Sequence, residues 1–324
     1  LKGCPHGCRF CSAGFIYRPP RIYPADNIKT AMDQAKGKAR HIGLVSSAIA
    51  DHPAMEDICR YGLDQGFRLS FSSLRADRLS DTFIRAMADS GVRTATIAPE
   101  AGSERMRAII NKNITKTDIL SAAQRLVAAG ILNLRLYFII GLPFETMADI
   151  QAIVDLALAV KAVFLEASRK NRKIGTITLS INPFIPKPAT PFQWAAMEPP
   201  NRLKKKLDRV RQGLKKTANL TLHIESLRQA RIHALLSRGD RRAAVLLEQA
   251  VKKGWPTVMR ENRDYVHRVV HQTIDPKHPL AWDFIETGLK KEFLVREWQR
   301  AAKEKPSRPC PMTECARCGI CRIR

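Results

Sequence analysis

From Ala25 to about Pro183, short apolar segments alternate with amphipathic stretches, and this alternation restricts the fold more than any other feature of the sequence. The apolar segments are typical of β-strands, and the stretches between them are typical of surface helices. The predicted strands occupy residues 41–47, 68–73, 92–98, 134–140 and 173–181. Strands that alternate with helices at this spacing predict repeated βαβ units and a parallel sheet.

We therefore predict an α/β fold in the form of a partial (β/α)6 barrel. Five strands are visible, and we expect the loop that carries Cys4 to follow a sixth strand upstream of Leu1. The nearly continuous apolar character of the strands agrees with a parallel sheet, because both faces of such a sheet are covered. An open doubly wound sheet would be expected to carry a glycine-rich phosphate turn, and the sequence has no G-x-G-x-x-G motif.

The character of the chain changes after the last predicted strand. Four prolines fall between Asn182 and Trp194, which excludes an α-helix there and predicts an extended boundary segment. The stretch Arg202–Lys216 is strongly basic and predicts an amphipathic helix. We predict a barrel domain over residues 1–194, a mostly helical basic region over residues 195–302, and a cysteine-rich tail that binds a metal or an iron–sulfur cluster over residues 303–324.

The chain is strongly basic. Its 55 Lys and Arg residues against 30 Asp and Glu residues give a formal net charge of +25. Such an excess attracts anions, so RNA, DNA, a phosphorylated substrate or a membrane surface would fit it, and so would a merely solvated basic surface. No apolar segment approaches the roughly 20 residues that a membrane helix needs, and we expect a cytoplasmic protein without a membrane span.

The eight cysteines are concentrated at two places. Three of them lie between residues 4 and 11, four lie between residues 310 and 321, and Cys59 stands alone on a predicted helix. Tight groups of cysteines in a long chain indicate metal binding rather than a disulfide framework. Cys59 is expected to be a buried apolar residue.

The first group, Cys4, Cys8 and Cys11, has the spacing C-x3-C-x2-C. Thiolates are the usual ligands of iron–sulfur clusters. A loop this short can bind three irons of a [4Fe–4S] cubane, which leaves the fourth iron open for a small molecule. A Cys3His zinc site that includes His6 is the alternative.

Phe10 precedes Cys11, and with it the motif resembles the signature of the radical SAM superfamily, C-x3-C-x-aromatic-C. The resemblance implies that the open iron chelates S-adenosylmethionine through its amino and carboxylate groups. One-electron reduction then gives methionine and a 5′-deoxyadenosyl radical, which takes hydrogen from the substrate. The electron donor would be a protein such as a flavodoxin or a ferredoxin.

Further segments extend the resemblance over about residues 1–194. These are CRFCSAGFIYRPPR at 8–21, IAPEAGSERMRAIINK at 97–112, YFIIGLPFET at 137–146 and SINPFIPKPATPFQW at 180–194. They are similar to the group of radical SAM proteins that are often preceded by a B12-binding-like domain. We expect such a domain upstream of Leu1, and cobalamin would be bound only there; its presence would favour methylation or a related alkyl transfer.

The resemblance also implies a cofactor pocket at the carboxyl ends of the strands, the face where barrel enzymes place their active sites. Its expected residues are Phe10, Ser46, Ser47, Ser73, Arg75, Glu100, Gly141 and Glu145. Ser46 and Ser47 stand where the superfamily often has a Gly-Gly-Glu-like segment, which is absent here. Each position also has a structural alternative: a tight turn at Gly141, a helix cap at Ser103, and an ion pair between Arg75 and Glu100.

The second group, Cys310, Cys315, Cys318 and Cys321, supplies four thiolates with short spacing. Four thiolates saturate either a tetrahedral zinc ion or a cubane. The C-x2-C-x2-C part favours a second [4Fe–4S] cluster over zinc, and a saturated cluster would relay electrons or staple the chain.

The sequence thus predicts a radical SAM enzyme that acts on an unidentified substrate. The charge and the basic helix at Arg202–Lys216 make a nucleic-acid substrate a second expectation. An alternative class is a zinc- or cluster-bearing nucleic-acid-binding protein without catalysis, and a third is a degenerate homologue that keeps a cluster but not the chemistry.

Overall fold

The fold is described from a computed structural model that covers residues 1–313 and 315–321. The tail predicted over residues 303–324 therefore includes positions 314 and 322–324, which lie outside the described residues.

The strands of the described chain form two parallel sheets that join in one arc. They are β1 (His41–Leu44), β2 (Arg68–Phe71), β3 (Thr94–Glu100), β4 (Asn133–Ile140), β5 (Ile177–Pro183) and β6 (Leu220–Ile224). β1 pairs with β2, and the other sheet has the order β3-β4-β5-β6. Leu74, just beyond β2, pairs in parallel with Ile97 of β3, and its amide donates to the carbonyl of Thr96 at 2.8 Å. Parallel strands in chain order confirm the predicted partial barrel.

Helices connect and cover these strands. They are α1 (Ala25–Ala35), α2 (Met55–Asp64), α3 (Asp81–Asp89), α4 (Glu104–Ile109), α5 (Lys116–Ala128), α6 (Met147–Asn171), α7 (Pro200–Leu214), α8 (Leu227–Arg238), α9 (Arg242–Glu261), α10 (Arg263–His271) and α11 (Lys291–Ala302). Local signals in the sequence fix several of their beginnings. The predicted cap at Ser80 accepts a hydrogen bond from the amide of Phe83, and Thr146 with Asp149 forms the predicted capping box.

β6 was not predicted from the sequence, and it lies inside the region expected to be mostly helical. It pairs in parallel with β5 from Leu220 to Ile224. Its apolar residues are only partly buried and alternate with the exposed Thr221 and His223, so it lacks the apolar run that β4 has over residues 136–140. An edge strand with one face in water gives this weaker pattern. The division into domains at residues 194 and 302 stays a prediction.

The main core lies beneath the sheet and is centred on β4. Leu134, Leu136, Phe138 and Ile140 of that strand are at most 1% exposed. The apolar face of α7, with Leu203, packs into the same core. Cys59 is fully buried on α2, as expected for an apolar residue. No helix in the part of the chain that is described is long and apolar enough to span a membrane.

α11 packs across the carboxyl-end side of the barrel and contacts both ends of the chain. Phe293 and Leu294 of this helix share an apolar cluster with Phe15, which follows the first cysteine group, and with Cys318 of the second. Trp298 packs against a further cluster at the barrel mouth. The first and second cysteine groups therefore lie on one side of the molecule, joined by one helix.

Candidate cluster and cofactor site

The loop that carries Cys4, Cys8 and Cys11 is closed at its base and has little internal space. Lys2 and Arg21 exchange two backbone hydrogen bonds of 2.9 Å, which close the loop. A Cβ atom on Gly14 would lie 2.4 Å from the carbonyl oxygen of His6. Only glycine fits that position, because the chain passes too close to itself for any side chain.

The three thiols of this loop are close enough to influence one another. Burial raises the pKa of Cys4 to about 12, and the next largest contribution is the charge of Cys8. Burial and then Cys8 also raise the pKa of Cys11. Cys8 is buried, and Cys4 and Cys11 are partly exposed. Because their pKa values are raised, the thiols of Cys4 and Cys11 ionise readily only when a cation is bound beside them. The donor set therefore fits a cysteine-ligated [4Fe–4S] cluster, which requires thiolates.

His6 is held by a carboxylate. Its Nε2 lies 2.9 Å from Oδ1 of Asp51, and both side chains are nearly buried. This contact occupies the nitrogen that a Cys3His zinc site would most readily use. The arrangement of His6 thus gives no support to the zinc alternative.

Arg9 fixes the cysteine loop to the rest of the molecule. The side chain is fully buried, and its Nη1 donates to the carbonyl of Ile109 at 2.7 Å, at the end of α4. Its Nε donates to Oε2 of Glu297 on α11 at 3.1 Å, and its Nη2 donates to the carbonyl of Lys305 at 2.7 Å. Asn111 adds a hydrogen bond of 3.0 Å from Nδ2 to the carbonyl of Gly7. The loop is therefore positioned from both halves of the chain.

Three charged residues influence the cysteine loop electrostatically. Arg75 and Glu100 were predicted at this site, and Lys112 was not. Arg75 is buried and donates to both carboxylate oxygens of Asp77 at 3.0 and 3.1 Å and to the carbonyl of Lys112 at 2.9 Å. Lys112, which is also buried, lies 3.4 Å from Glu100 Oε1. The ion pair between Arg75 and Glu100 that the sequence suggested as an alternative is wrong, because each of them has a different partner.

The electrostatic influence of these residues reaches the cysteine loop. Burial lowers the pKa of Arg75, but the hydrogen bond to Asp77 and the charge of Cys8 raise it. The net result is a raised pKa. The charge of Lys112 lowers the pKa of Cys11, and the charge of Glu100 raises it. Glu100 also has a φ of +66° at the end of β3, where the pairing with β4 is irregular. Strained backbone of this kind is concentrated at functional sites.

The serines expected in the pocket lie at the ends of β1 and β2. Ser46 Oγ donates to the carbonyl of Leu1 at 3.0 Å, which ties the end of β1 to the beginning of the cysteine loop. Ser47 and Ser73 are exposed and follow the carboxyl ends of β1 and β2. Phe10 is partly buried and packs against the apolar cluster at the barrel mouth. Their roles toward a cofactor stay predictions.

Gly141 and Glu145 form a closed unit after β4. The amide of Gly141 donates to Glu145 Oε2 at 2.7 Å, and Lys206 of α7 donates to the same oxygen at 2.7 Å. Lys206 also lies 2.6 Å from Glu198. Burial raises the pKa of Glu145 to about 7 against the opposing effect of Lys206. The side chain of Glu145 is thus used to fix its own loop, and Ser103 is a helix cap as the structural alternative proposed.

The second cysteine group packs directly against the first loop. The amide of Cys310 donates to the carbonyl of Pro5 at 2.8 Å. One pocket is lined by Gly7 and Phe15 of the first loop and by all four tail cysteines, Cys310, Cys315, Cys318 and Cys321. Burial raises the pKa of Cys321, and the charges of the other three add to the effect. Four thiols that line one space supply the number of ligands that a saturated metal centre needs.

Several residues that build this site were missed from the sequence. Arg9, Asn111, Lys112 and Glu297 carry no recognisable motif of their own, and Glu297 is distant in the chain. Arg9 could have been noted, since it lies between Cys8 and Cys11 and a buried arginine there needs partners. The first part of the tail, residues 303–311, is docked against the site, with the amide of Ser307 donating to Asn111 Oδ1 at 2.7 Å.

Comparison with known proteins agrees with this site. The family model described as the radical SAM superfamily matches residues 1–157. An uncharacterized protein of Methanocaldococcus jannaschii is 33% identical over 249 residues, which cover 76% of this chain and 52% of that protein. The chain thus spans about half the length of this curated relative.

Two solved structures share a partial likeness. SuiB of Streptococcus suis bound to S-adenosylmethionine has a TM-score of 0.48 at 13% identity, over 69% of this chain and 48% of that one. HydG, a maturase of the [FeFe]-hydrogenase, has a TM-score of 0.43 at 13% identity, over 72% of this chain and 52% of that one. The match over residues 1–157, which contain the cysteine loop, places this part of the chain in the radical SAM superfamily.

Proposed function

We propose that this protein is a radical SAM enzyme that holds a [4Fe–4S] cluster on Cys4, Cys8 and Cys11 and cleaves S-adenosylmethionine. The observation that carries the proposal is the loop with the spacing C-x3-C-x2-C, which is closed by the hydrogen bonds between Lys2 and Arg21 and tied to the carboxyl end of β1 by Ser46. When bound, the cluster would supply the electron that splits S-adenosylmethionine into methionine and a 5′-deoxyadenosyl radical.

The chain's own residues would orient the reactants and exclude water. Arg9 and Asn111 hold the loop that presents the thiols, and Arg75, Lys112 and Glu100 supply fixed charge beside it. Phe10 and Trp298 close the mouth on the apolar side. A preorganised, partly buried site of this kind protects a reactive intermediate from solvent.

We also propose a second [4Fe–4S] cluster on Cys310, Cys315, Cys318 and Cys321, with electron relay as its role. Contact of the two cysteine segments through Pro5 and Cys310 supports this assignment, because electrons pass efficiently only between closely placed centres. Zinc at these four cysteines is the competing assignment. A flavodoxin- or ferredoxin-type donor, a cobalamin domain and a cytoplasmic location stay predictions.

Anaerobic reconstitution with iron and sulfide, followed by dithionite and S-adenosylmethionine, tests the catalytic proposal. We expect release of 5′-deoxyadenosine, and loss of that release in the Cys4→Ala/Cys8→Ala/Cys11→Ala variant. Cys59→Ala is the matched control, because its thiol is buried far from any other cysteine in sequence and should leave activity intact. A brown protein of full native length that releases no 5′-deoxyadenosine would refute catalysis and leave a non-catalytic cluster protein.

A further inference from the structure

A cleft lined by arginines and apolar side chains lies beyond the cysteine sites. It has a volume of about 420 Å³ and is formed by the beginnings of α7, α8 and α10 and by the second half of α9. Its lining consists of Pro200, Leu227, Arg228, Arg231, Ile232, Trp255, Pro256, Met259, Arg260 and Arg263. The volume falls within the range of roughly 300–1,000 Å³ that is usual for small-molecule sites.

The four arginines of the cleft have no acidic partner. No Asp or Glu belongs to the lining, and within residues 1–313 and 315–321 none of the four guanidinium groups forms an ion pair or a hydrogen bond. Nε of Arg231 is buried without any acceptor. Burial, and after it the like charge of Arg263, lowers the pKa of Arg231. Such a concentration of unpaired positive charge is stabilised by a bound anion.

The floor of the cleft is apolar and includes one aromatic ring. Ile232 and Met259 are 3% and 8% exposed, and Trp255 is partly buried against the main core. The helix α9 is broken at Gly254, where φ is +75°, and this break places Trp255 and Pro256 at the cleft. An aromatic ring and several guanidinium groups that line the same cleft suit a molecule that joins a planar ring to an anion.

The position of the cleft relates it to the barrel mouth. α8 begins at Leu227, directly after β6 ends at Ile224. Because β6 is parallel to the other strands, its carboxyl end lies at the same edge of the sheet as theirs. A molecule held in the cleft therefore lies on the side of the sheet that carries the cysteine loop.

We propose that this cleft binds a nucleotide unit, with the base against Trp255 and the phosphate among Arg228, Arg231, Arg260 and Arg263. The unit is either part of a single-stranded nucleic acid or a free nucleotide, since both present the same ring and phosphate. This binding is independent of the cluster chemistry. It gives part of the strong positive charge of the chain a specific role, the binding of phosphate.

The test uses the reconstituted full chain and three probes: a fluorescein-labelled single-stranded RNA 12-mer, the DNA of the same sequence, and AMP. Binding is followed by fluorescence anisotropy for the strands and by competition for AMP. The double variant Arg231→Gln/Arg263→Gln should weaken binding about a hundredfold, since it removes two charge-assisted contacts to phosphate. It should also reduce the slope of log K against log salt concentration for strand binding by about two, because two phosphate contacts are removed.

The matched control is Arg40→Gln/Arg85→Gln. Both arginines are exposed and lie outside the cleft, and their substitution removes the same net charge as the cleft variant does. We expect less than about a threefold change from this pair, as for charges that make no phosphate contact. Equal losses in both double variants would overturn the proposal, because binding would then follow net charge alone.

The aromatic contact is tested separately. Trp255→Ala should weaken binding about tenfold and Trp255→Phe should largely restore it, because stacking needs a flat ring. Unchanged affinity in Trp255→Ala would overturn the placement of the base. If AMP competes with the strands, the cleft binds a nucleotide unit from either source. If AMP cannot displace a bound strand, the ligand is a nucleic acid. If none of the three probes binds, the site is refuted. Release of 5′-deoxyadenosine in the cleft variants separates this outcome from failure of the catalytic proposal.

Discussion

Replacing Arg9 with Met should destabilise the protein more than any other single change in the cysteine loop. The substitution keeps much of the volume of the side chain and removes its charge and all of its donors. It leaves the carboxylate of Glu297, a residue only 7% exposed, without its cation and with Ser307 Oγ as a remaining donor. Removing one partner of a buried ion pair costs about 3–5 kcal/mol. The carbonyls of Ile109 and Lys305 also lose their donor, so we expect the loss to reach this range.

Two further variants separate the charge effect from simple repacking. Arg125→Met removes an arginine from Asp81, a carboxylate that is 76% exposed, and should cost no more than about 1 kcal/mol. The double variant Arg9→Met/Glu297→Met should be more stable than Arg9→Met alone, because no unpaired buried charge remains.

The measurement is urea unfolding followed by tryptophan fluorescence under anaerobic conditions, at equal iron content for every variant. The reasoning fails if Arg9→Met loses no more stability than Arg125→Met. It also fails if the double variant is as unstable as Arg9→Met, since the cost would then arise from packing rather than from an uncompensated carboxylate.

Three other predictions concern the loops around the site. Because burial raises the pKa of Glu145 from 4.5 to about 7, its folded form holds a proton that the unfolded chain releases, and its contribution to stability is lost as pH rises through 7. Between about pH 5 and pH 8 the free energy of unfolding of the wild type should therefore fall by up to about 3 kcal/mol relative to that of Glu145→Gln. Urea midpoints that change equally with pH in the two proteins would contradict this. Gly14→Ala should lower iron content by displacing the chain near His6, as measured by colorimetric iron assay; full iron loading would show that the loop can move. Replacing the four tail cysteines with alanine should remove about half of the iron, whereas loss of zinc instead would assign a zinc site.

The repeating βαβ core was predictable from the sequence because its signals are local. β4 contains an apolar run over residues 136–140, and β5 has apolar residues at alternate positions from Ile177 to Ile181. The caps at Ser80 and Thr146 follow simple hydrogen-bonding rules. β6 was missed because an edge strand with alternating exposure resembles the irregular segments around it. Its register depends on pairing with β5, which is a tertiary contact and leaves no mark within β6 itself.

The thiols of the site were predictable, and their surroundings were not. The spacing grouped Cys4, Cys8 and Cys11 in one short loop, because residues so close in the sequence stay close in space. The partners of Arg75 and Glu100 depend on where Asp77 and Lys112 lie in three dimensions. The cleft around Trp255 was also invisible, because its arginines come from three helices whose packing cannot be read from periodicity.

The closing of the first loop by the far end of the chain has a consequence for the order of events in biosynthesis. Arg9 precedes its partners Glu297 and Lys305 by 288 and 296 residues. At roughly 5–20 residues per second, the ribosome takes about 15–60 seconds to make that interval. Throughout this time the cysteine loop lacks its contacts with α11 and the tail. A cluster delivered during synthesis therefore meets a less restrained loop than one delivered afterwards.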